Sequence, residues 1–198
     1  MERILVVLNT MKPDLCTLEF ACYVAGITHT KITALLGERM KESVAPVQKE
    51  LFALPYVETV VACDVPGNQK ILKSADDSEK WFSEACSNRN INCRILDNLE
   101  MTVADVIKES RFADLLIVNP ETSIPLKNEG SPTHFVKEVL STAECPVVLS
   151  PYSFDGISEL AFLYDRSGDS VFAIKQFMHI FPGLNTKPVK PHLCDLSD

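Results

Sequence analysis

The chain has 198 residues, the length of one ordinary domain and a remainder, and 19 basic against 27 acidic residues leave a formal net charge of -8. That charge repels nucleic acid and anionic membrane, so neither is expected as a partner, although backbone dipoles can still hold one small anion. The longest clean apolar run, Ile4–Leu8, falls far short of the ~20 residues of a membrane span and stands too close to Met1 to follow a secretory signal, so a cytoplasmic protein is expected.

Arg3–Asn9 (RILVVLN) reads as a strand buried on both faces. Pro13 suits a first helical turn, and Leu15, Leu18, Cys22 and Ala25 follow at helical spacing. Lys31–Gly37 is a second strand, followed by a helical piece near 41–52, a short strand at Val57–Cys63 and a long helix from about 68 to 90. Strand Asn92–Leu96 and helix Thr102–Phe112 come next, the helix opened by Thr102 with Asp105 in a capping box. Asp114–Asn119 is a continuous apolar strand. Ser131–Pro132 opens a helix carrying Phe135, Val136, Val139 and Leu140, and Pro146–Ser150 closes the series. Strands separated by helices imply βα crossovers and a mainly parallel sheet covered on both faces.

After residue 156 the opening recurs. Shifted by 156 positions, Ile4–Leu8 falls on Leu160–Tyr164, and the stripe 15, 18, 22, 25 falls on Val171, Ile174, Met178 and Phe181. This reads as a partial second copy, strand and helix, over 153–198, ending in a flexible tail after Asn185 that carries Pro188 and Pro191. The fragment is too apolar to stand in water and too small to fold alone, so it is expected to dock.

The seven cysteines include no C-x-x-C, so neither a disulfide framework nor a zinc site is expected, and those in apolar stretches read as small hydrophobes. No two of the seven glycines are close enough for a Walker A loop or a dinucleotide fingerprint. No nucleophile elbow, paired carboxylates or His cluster presents itself. No catalytic residue, metal or enzymatic activity is expected, a weak ATPase being the one exception kept open.

Three segments carry a family resemblance: ILVVLN at the start, ADLLIVNP in the middle and EGSPTHFVKEVLSTAECPVVLSP at the end. Over residues 2–151 the chain resembles the universal stress proteins, and LAFLYDRSGDSVFAIKQF is similar to the opening of another copy. The resemblance implies a doubly wound, five-stranded α/β fold in a first domain at 1–152, with the strand–helix unit appended. It also implies adenine-nucleotide binding, a role in stress response and a homodimer.

By the same resemblance, the cofactor-binding positions are Asn9, Leu36, Gly130 and Ser131. ATP-binding members carry two glycines after the fourth strand, where backbone approaches phosphate, and Gly-Ser or Gly-Thr before the last helix. Here Pro120 stands at the first glycine position, the second is missing, and the loop is about three residues short. Proline offers no N–H to a phosphate. The family's acidic residue after the first strand is Asn9, while the second copy has Asp165 and no phosphate loop. The expectation is therefore no resident cofactor and a degenerate site, with action through dimerisation or partner binding; ATP or AMP held at the remnant site is the alternative. Ser131 reads first as a plain helix cap with Pro132 at the next position, and DRSGDS (165–170) as capping by Asp165 or Asp169.

Overall fold

The computed structural model describes residues 1–9, 14–37, 79–98, 101–123 and 130–193. The helix expected at 41–52, the strand at Val57–Cys63, Pro13 and the first part of the long helix lie outside the described residues. In chain order the elements are β1 (Arg3–Asn9), α1 (Leu15–Thr28), β2 (Lys31–Gly37), α2 (79–88), β3 (Cys93–Asn98), α3 (Val103–Ser110), β4 (Leu115–Val118) and α4 (His134–Thr142). They continue with β5 (Val147–Leu149), β6 (Leu160–Tyr164), α5 (Gly168–Ile180), a 3-10 turn (Pro182–Leu184) and β7 (Val189–Leu193).

Successive side chains of a strand point to opposite faces, so a strand buried on both must be apolar throughout. β1 is built this way. Ile4, Val6 and Leu8 join Ile32, Ala34, Leu36 and Ile117 under α1 and α2, while Leu5, Val7, Leu35 and Val118 turn to α3 and α4. Each such burial stabilises by about 1.5–3 kcal/mol. The five strands run parallel in the order β3-β2-β1-β4-β5, with Leu8 beside Leu36 and Asn9 beside Gly37. This is the doubly wound α/β sheet. Its order reverses between β1 and β4, where such folds leave a crevice beyond the strands' carboxyl ends.

Three helices depart from the sequence reading. Leu15, placed inward by spacing, is 60% exposed, whereas Thr17, Phe20, Ala21 and Val24 are buried along with Leu18, Cys22 and Ala25. The cause is a second layer over α1. Leu160, Ile180, Phe181 and Leu184 belong to the same apolar cluster as α1, and Phe154 sets its ring edge-on against Phe20 and Tyr23 at centroid distances of 5.1 and 5.0 Å. α4 begins two residues later than read: Thr133, not Ser131, is its N-cap, its hydroxyl accepting from the Val136 amide, and Leu140 is 44% exposed. At α5 the cap is Ser167, accepting from the Ser170 amide, while the Asp165 carboxylate accepts from the Ser167 amide in the preceding turn. α3 opens as expected, with Thr102 and Asp105 in a capping box.

The C-terminal unit goes one element beyond the expected strand and helix. β7 pairs in parallel with β6, Leu160 beside Val189, so β6-α5-β7 repeats the order of β1-α1-β2 within what was read as tail. Its inward contacts differ from the shifted stripe. Ile180 and Phe181 are buried and Phe162 stacks edge-on to Phe177, but Val171 and Met178 are exposed.

Candidate functional site

The carboxyl ends of β1, β2, β4 and β5 mark where a doubly wound sheet binds small molecules. Asn9 is the last residue of β1 and lies beside Gly37, the last of β2. Leu36 is a core residue, closed to solvent on the α1 face. Gly130 and Ser131 are exposed on the approach to α4, whose Phe135, Val136 and Val139 pack on the opposite face, and the Ser131 hydroxyl lies 2.8 Å from that of Tyr152. The Leu36 side chain and α4 thus lie on opposite faces of the sheet.

A polar network missed by the sequence reading lies at the reversal point. Asp14 caps α1, one carboxylate oxygen accepting from the Cys16 amide at 3.0 Å. Its other oxygen accepts from the Thr17 hydroxyl at 2.6 Å and from the Asn119 side-chain amide. Thr17 has only one proton and gives it to Asp14, so the Ser150 hydroxyl, 2.6 Å away, must donate to Thr17. Asn119 is held in turn through its side-chain oxygen, which accepts from the Glu121 amide at 2.7 Å. The start of α1 and the segments after β4 and β5 are stitched together by these four side chains. Thr17 and Ser150 are buried, and the one charged member is the Asp14 carboxylate, which repels phosphate. The sequence did carry a signal: Asp14 directly precedes an apolar helical run, a helix-start signature.

Neighbouring positions are filled in the same way. A Cβ on Gly37 would lie 2.5 Å from the Met101 methyl, so the buried Met101 is laid directly on the end of β2. Pro120 follows β4, with no N–H to offer, and its carbonyl accepts from the Thr133 amide at 3.1 Å. The Thr133 hydroxyl donates to the Thr122 carbonyl, so Thr133 ties the start of α4 to the segment after β4. Among the described residues no group of three or more His, Cys, Asp or Glu is arranged to hold a metal ion.

No protein-family model matches the chain, and no curated protein sequence does. Solved structures do match. A putative universal stress protein from Pseudomonas aeruginosa superimposes with a TM-score of 0.56 over 98% of this chain and 60% of that one, at 14% identity. The fold is that of a universal stress protein. This universal stress protein-like chain spans 60% of the length of the Pseudomonas protein. The universal stress protein UspA from Lactobacillus plantarum matches at 12% identity and a TM-score of 0.48, over 76% of this chain and 97% of that one. A universal stress protein from Archaeoglobus fulgidus in complex with dAMP matches at 11% identity and a TM-score of 0.48, over 76% and 98%.

Proposed function

We propose that this universal stress protein-like chain carries a degenerate nucleotide crevice and serves the stress response in the cytoplasm through dimerisation or partner binding, not through a bound nucleotide. The observation that carries the reading is the Asp14–Thr17–Asn119–Ser150 network, which fills the reversal point with the protein's own hydrogen bonds and one negative charge. Pro120 supports it, standing where a phosphate would need a backbone donor. No helix among the described residues is long and apolar enough to cross a membrane.

The test is direct. Purified protein is denatured and the supernatant examined for an adenine nucleotide, and the folded protein is titrated with ATP and AMP by calorimetry. The expected outcome is no released nucleotide and no binding at micromolar concentrations. A low-micromolar dissociation constant would overturn the proposal in favour of the alternative, ATP or AMP at Asn9, Leu36, Gly130 and Ser131. We assign the dimer to β5, which among the described residues is an edge strand paired only with β4 and whose Leu149 is exposed. Light scattering at tens of micromolar protein should return twice the chain mass; a monomer there counts against this assignment.

A further inference from the structure

Among the described residues, β6 has one edge that no strand takes up. The Leu160 amide donates to the Pro188 carbonyl at 2.9 Å, so by alternation the backbones of Leu160, Phe162 and Tyr164 face β7. The amides and carbonyls of Ala161 and Leu163 therefore face the open edge. The first domain shows what such an edge receives. There the Glu2 carbonyl accepts from the Lys31 amide and the Arg3 carbonyl from the Asp114 amide, so the even residues of β1 face β2 and the odd ones face β4. Shifted by 156 positions, the odd residues Leu5 and Val7, which lie beside Leu116 and Val118 of β4, become Ala161 and Leu163.

An open edge invites another strand unless charge or proline guards it. β7 is guarded, because the same alternation turns Pro191, with no N–H, to its outer edge. β6 is not: LAFLY has no charge and no proline, and Leu163 is 66% exposed. We propose that β6 pairs with β6 of a second copy of the chain, antiparallel about a two-fold axis at Phe162, to give one sheet in the order β7-β6-β6-β7. In that register Ala161 of each copy lies opposite Leu163 of the other, and each such pair exchanges two hydrogen bonds. Every outward amide and carbonyl of these two residues is then used. Slipping the pair by two residues sets Ala161 against itself, or Leu163 against itself, and leaves the other residue opposite a position outside β6. The side chains agree with the backbone: small Ala161 meets larger Leu163 on the face away from Phe162, which stacks on Phe177 of α5. The edge is complementary to itself, which is why the occupant is a second copy. This contact is independent of the β5 dimer, since β5 belongs to the other sheet.

Two residues of strand per copy make a contact small beside the ~800 Å² per partner of a stable interface, so it is expected at hundreds of micromolar protein. The full chain is compared at tens and at hundreds of micromolar by sedimentation velocity and by residue-resolved amide exchange. The mass should rise with concentration. The amides of Ala161 and Leu163 should slow about fivefold, while that of Phe162, turned to β7, does not change. Leu163→Lys, a charge at an exposed position, should remove both the rise and the protection of Ala161. Leu149→Arg, aimed at β5, should leave both in place, so failure of the β5 assignment and failure of this one are read separately. The proposal is overturned if the two amides exchange alike at both concentrations, which leaves the edge to a strand of another protein or to none. It is overturned equally if Leu163→Lys assembles as the wild type does, or if Ala161 stays protected in that variant, which means the chain covers its own edge.

Discussion

Asp114 shows how one side chain ties the chain's start to its middle. Its carboxylate accepts from the amides of Glu2 at 2.7 Å and Arg3 at 3.0 Å, fixing the entry into β1 beside β4. Desolvation pushes this carboxyl up, but the two amides outweigh it and hold it below its ordinary value. A depressed carboxylate contributes stability above its unfolded pKa, and that contribution is lost as pH falls through the folded value. Asp114→Asn should therefore cost about 1 kcal/mol at neutral pH, the difference from wild type closing below about pH 4 in denaturant melts. Asn119→Ala is the corresponding test of the polar network. It leaves the Glu121 amide and the Asp14 carboxylate each short of a partner, and should cost about 1–3 kcal/mol without creating a nucleotide site. Gly37→Ala should cost a further ~1–3 kcal/mol, since Met101 must give way.

At the scale of elements, what sequence could and could not reveal divides by how local the cause is. The capping box of α3 is written in Thr102 and Asp105 and was readable directly. Pro120 likewise marks in the sequence a position with no backbone N–H to donate. Asn119 and Ser150 could not be linked to Thr17 in advance, because they lie more than a hundred residues from it and meet only when the sheet forms. Spacing at α1 assumed one inward face and so put Leu15 in the core. Yet LCTLEFACYVAGIT has a single charged residue, Glu19, and a helix this apolar is one covered on more than one side, leaving only Leu15, Glu19 and Gly26 exposed. The cover can be probed at Phe154, which bridges Phe20 and Tyr23. Phe154→Ala should cost about 3 kcal/mol, and hydrogen exchange should speed up in β6 and β7 while β1 keeps its protection.

At the scale of the molecule, the parallel five-stranded sheet was legible because alternating strands and helices admit few topologies. β7 was not, because Pro188 and Pro191 read as punctuation. Pro191 sits on β7 without harm since, among the described residues, that strand pairs on one edge only, the position where a missing N–H is tolerated. The β6-α5-β7 unit shows its outer side bare: Leu163 and Phe172 are 66% and 62% exposed. Deleting residues 157–198 should uncover the outer face of α1 as well. The truncated protein is expected to melt at lower temperature, bind the dye ANS and self-associate more weakly; an unchanged melting temperature and dimer affinity would make the unit a passive appendage.

The double covering of α1 also sets an order in time. Phe20 and Tyr23 leave the ribosome well before Leu160, Phe181 and Leu184, which belong to the same cluster. At ~5–20 residues per second, the roughly 130 residues between Thr28 and Leu160 take on the order of ten seconds to synthesise. Through that interval the nascent chain holds a helix with one side seated on the sheet and the other wet and apolar, a surface for a chaperone to occupy. A ribosome stalled before β6 would leave that surface exposed for as long as the stall lasts.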